Sequence, residues 1–182
     1  MVHSLNGQDI SGGGVSEEMI ARYRQLVENG SDNFQGLGIT QYQNQIGRLI
    51  RKSGSKTVLD YGCGGGFQYS HPYEIHKTWG VDVPTLYDPA FPSHDDLPKG
   101  TFDAVLASDI MEHIPQDEVD ELIIRLFKYA NKFVWASICC RPAKKVFDDG
   151  LNMHVTIHGF WWWQARFAKL SSGKHHVIVE TR

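Results

Sequence analysis

Thr57-Val58-Leu59-Asp60-Tyr61-Gly62-Cys63-Gly64-Gly65-Gly66 is the stretch whose reading decides the fold. The apolar pair Val58-Leu59 runs into an acid, Asp60, after which Gly62, Gly64 and Gly66 alternate with other residues. A short apolar run ending in a tight turn suits a buried parallel strand. Glycines in such a turn permit positive φ and let the backbone approach a ligand closely. A helix is expected to open just beyond, its first amides offered to a polar or anionic ligand group. The pattern is one residue tighter than the G-x-G-x-x-G of dinucleotide-binding turns, which leaves less room for a pyrophosphate.

Working outward, the 182 residues suit one domain with a substantial core. Hydrophobic content of 41% and charged content of 21% are those of a globular protein. The net charge of -3 provides no global basic field, so nucleic acid is not the favoured partner. Three cysteines, Cys63 in the glycine loop and the adjacent Cys139 and Cys140, make no disulfide framework and favour a reducing, cytoplasmic setting. No apolar run reaches the length of a membrane span, so no membrane partner is expected. Residues 1–15 are polar and Gly-rich and read as a flexible arm. Residues 16–182 read as one domain, with two leading helices over 16–53 and an α/β core over 56–182.

Ser16 is placed to cap a first helix with Glu17 and Glu18 in its opening turn, and Gly30 ends it. Thr40 is placed to cap a second, with Tyr42, Ile46, Leu49 and Ile50 on one face and Gly54 at its end. Beyond the glycine loop, Pro72 must interrupt any helix begun at Phe67. Two acids compete for the end of the second strand. Asp82 follows Gly80-Val81, whereas Asp88 ends the better strand, Thr85-Leu86-Tyr87, which Pro89 stops; that pattern favours Asp88. Residues 90–100 are too short for a full helix and strand. Phe102–Ser108 and Phe133–Ile138 read as buried strands, Val119–Phe127 and Phe160–Leu170 as helices, and His175–Glu180 as a last strand.

Asp60-Tyr61-Gly62-Cys63-Gly64-Gly65-Gly66 closely resembles the first motif of the class I S-adenosylmethionine (SAM) methyltransferases, and Phe102-Asp103 resembles the start of their fourth. Tyr87-Asp88-Pro89 resembles the second strand of small, stand-alone members. The resemblance implies a Rossmann-like sheet with helices on both faces, here with a reduced third-strand region and a reduced C-terminal edge. It implies SAM as cofactor. The loop Tyr61, Gly62, Cys63, Gly64 and Gly66 would pass beneath its methionine part, and Asp60 would lie near its ammonium. Asp88 would take the ribose, Leu97 beside Asp96 the adenine, and Asp109 the methionine end. The leading helices would either cover the cofactor or simply cap the sheet.

Methyl transfer needs an acceptor held in line and, for a hydroxyl or ammonium, a proton acceptor. His113 is the candidate base, because imidazole titrates near neutrality, and Glu112 is placed to orient it or a substrate group. The competing reading of His113 is a ring that bonds a loop carbonyl. Asp109-x-x-Glu112-His113 with His154 also resembles the metal-binding set of small-RNA 2′-O-methyltransferases; Asp stands where that family has Glu, and no metal ligand is assigned. The expected acceptor is a small molecule or an exposed group bearing O or N. Trp161-Trp162-Trp163 cannot all face one side of a helix, so at least one indole is exposed or lines the pocket. Nothing in the sequence fixes the oligomeric state.

Overall fold

The computed structural model describes residues 17–30 and 34–181. The expected arm over 1–15 and the cap at Ser16 lie outside the described residues. Five strands form one parallel sheet: β1 (Val58–Tyr61), β2 (Thr85–Tyr87), β3 (Phe102–Ser108), β4 (Ala130–Cys139) and β5 (His175–Thr181). Their order is β2-β1-β3-β4-β5. The chain therefore turns to one side of β1 to make β2 and returns on the other side to make β3. In open parallel sheets, ligands bind at the strand ends beside such a reversal.

The central strands β1, β3 and β4 are buried on both faces, as their apolar runs predict, while the edge strands β2 and β5 are partly exposed. Side chains alternate with the period of two that a pleated strand imposes. Val58, Ala104, Leu106, Phe133 and Trp135 face one layer, made by α2 (Gln43–Ser53) and α3 (Ile75–Trp79). Leu59, Val105, Ala107, Val134 and Ala136 face the other, made by α4 (Val119–Tyr129) and α5 (Phe160–Leu170). A satellite cluster of Met19, Phe147 and Met153 joins α1 (Glu17–Glu28) to the loop after β4.

Two local expectations are corrected. Thr40 does not cap α2; it lies inside a 3-10 turn, Leu37–Tyr42, and its hydroxyl donates to the Leu37 carbonyl at 2.7 Å. No long helix opens after the glycine loop. A three-residue 3-10 turn, Phe67–Tyr69, is followed by the cis bond His71-Pro72 and then the five-residue α3. Proline cannot continue the turn, and a helix this short presents no useful N-terminal dipole. The thinned third-strand region is present as expected: residues 89–101 contain neither helix nor strand. The far edge of the described sheet is the single strand β5.

The three indoles separate by helical angle. Trp163 is fully buried between α4 and the sheet, while Trp162 stacks on His158 at 3.9 Å and lies under the Arg166 guanidinium. Trp161 is 80% exposed. Trp163→Ala should therefore destabilise the fold by ~3–5 kcal/mol in urea unfolding. Trp161→Ala should stay within ~0.5 kcal/mol of the parent.

Candidate active site

The C-terminal ends of β1, β2 and β3 open into a cavity of about 310 Å³, at the small end of the range of ligand pockets. Its wall brings together Asp60, Tyr61, Gly62, Cys63, Gly64, Asp88, Asp109 and His113. Apolar side chains complete it: Met19, Ile20 and Val27 from α1, Phe34, and Phe91.

The glycine loop is shaped by the protein itself. Gly62 and Cys63 donate to the Tyr87 carbonyl, Gly65 to the Phe34 carbonyl, Gly66 to that of Cys63 and Phe67 to that of Gln35. Gly64 donates to Asp88 Oδ2 at 2.9 Å. The amides from 62 to 67 are thus already engaged, and the expected display of free amides to a ligand is not what the fold builds. Glycine is required at position 64 by both φ (+58°) and space, since a Cβ there would run into the Phe34 carbonyl.

What faces the cavity instead is carboxylate. Asp60 Oδ2 accepts from Gln68 Nε2 at 2.9 Å and from the Tyr69 hydroxyl at 2.8 Å. Its Oδ1 is buried with no hydrogen-bond partner among the described residues. Burial raises the Asp60 pKa to about 6, opposed by those two hydrogen bonds and reinforced by Asp88. Asp88 accepts from Gly64 and from Ala90, and burial raises its pKa too. Asp109 sits at φ +53°, where Asp is better tolerated than most residues, and accepts from the Ser137 hydroxyl at 3.1 Å. Burial again raises its pKa. A desolvated wall of acids with an unsatisfied oxygen favours a cationic ligand group. The absence of free loop amides disfavours a pyrophosphate.

His113 reaches the same cavity from the turn after β3. Its Nδ1 lies 2.7 Å from the Tyr23 hydroxyl and 2.9 Å from the Met153 carbonyl. The carbonyl only accepts, so Nδ1 carries the proton and Nε2 the lone pair. Desolvation lowers the His113 pKa to about 4, partly offset by the Met153 carbonyl. The ring thus bonds a loop carbonyl, as one reading of the sequence expects, and it also lines the cavity. Tyr23, which the sequence reading missed, arrives from α1, and only its helical phase with Met19 and Val27 hinted at the cavity.

Other expected residues are placed elsewhere. Glu112 does not line the cavity; it is fully buried, its Oε1 accepts from the Cys139 amide at 2.9 Å, and Tyr23 with Met153 takes the orienting place expected of it. Burial raises the Glu112 pKa to about 8, with Asp109 adding to it. Leu97 is 46% exposed and outside the cavity, because the thinned 89–101 segment brings Pro89, Ala90 and Phe91 inward instead. Gly66 serves the turn, its missing Cβ making room for Leu86. Asp82 is exposed on the approach to β2. The leading helices divide their roles: α1 covers the cavity, and α2 packs on the sheet. Asp109, Glu112, His113 and His154, the set whose resemblance left a metal site open, do not come together as four ligands. Among the described residues the group that does is Glu112, Cys139 and His154, whose ligand atoms lie within 4.8 Å of one another.

A family model described as a methyltransferase domain matches residues 35–176. No curated protein and no solved structure matches the chain significantly. With most of its length matched, the chain belongs to the methyltransferase-domain family, and it is a SAM-dependent methyltransferase of class I type.

The site fits that cofactor on its own terms, since Asp60 Oδ1 lacks a partner that an ammonium would supply. Below about pH 6 the proton on Asp60 must leave before a cation can be paired. SAM affinity measured by calorimetry should accordingly weaken roughly tenfold per pH unit as pH falls below about 6 and level off above it. Asp60→Asn should bind weakly and lose this pH dependence.

Proposed function

We propose that the protein transfers a methyl group from SAM to an oxygen or nitrogen nucleophile on a small, largely apolar molecule, with His113 as the proton acceptor. The observation that carries this reading is the meeting of Asp60, Asp88 and Asp109 with His113 in one cavity whose remaining wall is mostly apolar. SAM bound there supplies a methyl group on an electrophilic sulfonium. Asp60 would hold the ammonium and Asp88 the ribose hydroxyls, each carboxylate being aligned by backbone or side-chain donors of this chain. Asp109 would lie against the methionine end.

His113 is neutral at physiological pH, and its Nε2 lone pair would take the proton that the acceptor loses. Tyr23 and the Met153 carbonyl hold the ring in that tautomer. The hydrophobic roof of Met19, Ile20, Val27 and Phe34 would exclude water and receive the acceptor's apolar body. That lining supports a small molecule over a nucleic acid, for which the chain's charge of -3 provides no attraction. Three free cysteines agree with a reducing, cytoplasmic setting. No described helix is long and apolar enough to cross a membrane.

A panel of phenols, amines and hydroxy acids assayed with labelled SAM tests the reading. At least one acceptor should be methylated, and His113→Asn should lower kcat on it by ~10²–10⁴ with the SAM Kd unchanged. Full turnover in that variant would remove His113 from the chemistry.

A further inference from the structure

Glu112 is hard to explain by packing alone. It is 0% exposed, yet its Oε2 has no hydrogen-bond partner among the described residues. A buried carboxylate oxygen left bare is costly, and such groups are normally paired or bound to a cation. Two side chains stand beside it. Cys139 comes from the last residue of β4, and its thiol has only a long contact, 3.7 Å, to the Arg141 carbonyl. His154 comes from the loop that returns past β4, and its Nδ1 lies 2.6 Å from the Arg141 carbonyl. A carbonyl accepts, so that nitrogen is the donor and Nε2 keeps the lone pair. Donation of one ring N–H to a backbone carbonyl is the usual support of a metal-binding histidine.

We propose that Glu112, Cys139 and His154 form a three-ligand site for a zinc-class divalent cation, distinct from the SAM cavity. Carboxylate, thiolate and imidazole together suit Zn²⁺ and its cobalt analogue, and disfavour Mg²⁺ or Ca²⁺, which prefer all-oxygen shells. The ligand atoms are within 4.8 Å of one another, so small side-chain rotations bring them around one ion. The thiol proton and the proton that burial favours on the Glu112 carboxyl pass to solvent as the metal bonds form. Asp109 and His113 are not part of the site, because the ligand atoms that converge are those of Glu112, Cys139 and His154 alone among the described residues. The ion would tie three segments together: the turn after β3, the end of β4 and the loop at 152–156. Since Met153 precedes His154 and its carbonyl orients His113, the tie would also steady the candidate base.

The test uses the full chain with Zn²⁺ or Co²⁺ and reads metal directly, so it is independent of the methyl-transfer reading. Equilibrium dialysis should give one ion per chain, with a thermal midpoint that rises on adding Zn²⁺ and falls back with EDTA. The Co²⁺ form should show a thiolate-to-cobalt charge-transfer band. Cys139→Ser should abolish the band, and His154→Asn should weaken binding by at least about tenfold, whereas Cys140→Ser should change neither. His154 is only partly buried, so its variant remains informative if a change at Glu112 prevents folding. No stoichiometric binding, or binding and a band that survive both Cys139→Ser and His154→Asn, overturns the proposal.

Discussion

The site depends on how the backbone between Gly62 and Phe67 is satisfied. Six consecutive amides are taken by the Tyr87, Phe34, Cys63 and Gln35 carbonyls and by one oxygen of Asp88. A peptide N–H that already has a partner has little left for an anion. The turn is therefore a rigid floor, and recognition passes to the carboxylates around it. Because Gly65 donates to the Phe34 carbonyl and Gly64 to Asp88, the same hydrogen bonds also fix the segment before α2 and the end of β2. One bend thus sets the positions of three walls.

Those walls have a definite electrostatic sense. Asp60, Asp88 and Asp109 line one small space, and burial raises the pKa of each. Carboxylates crowded out of water are stabilised by a cation and destabilised by another anion. SAM, with an ammonium and a sulfonium, matches this environment; a dinucleotide pyrophosphate does not. The protein's own cations are used elsewhere. Arg22 pairs with Glu18 and Asp149, and Arg24 with Asp95 and the Pro89 carbonyl, so both anchor α1 across the mouth of the cavity.

The anchoring of α1 joins the two halves of the proposed chemistry. Met19 packs with Phe147 and Met153, while Tyr23 one turn later bonds both His113 and the Met153 carbonyl. The helix that roofs the cavity is the one that sets the tautomer of the candidate base. One helix thus both covers the cavity and orients the ring, as suits a site that must exclude water and hold a proton acceptor in line.

The sequence by itself determined the sheet and the position of the loop. β1, β3, β4, α4 and α5 were legible because their apolar periods of 2 and 3.6 are local properties, and a parallel strand buried on both faces reads as an unbroken apolar run. Asp60, Asp88 and Asp109 were legible because each lies at or just past the C-terminal end of a strand, and strand ends share one rim. Only the tertiary structure decided what faces them. Tyr23 meets His113 across 90 residues and Glu112 meets Cys139 across 27, and no periodicity encodes such distances. The fate of the loop amides was equally hidden, because Phe34 and Gln35 become their acceptors only when the segment before α2 folds over the turn. Local sequence specifies which face a residue turns to the core; which other residue waits there is set by the packing of elements distant along the chain.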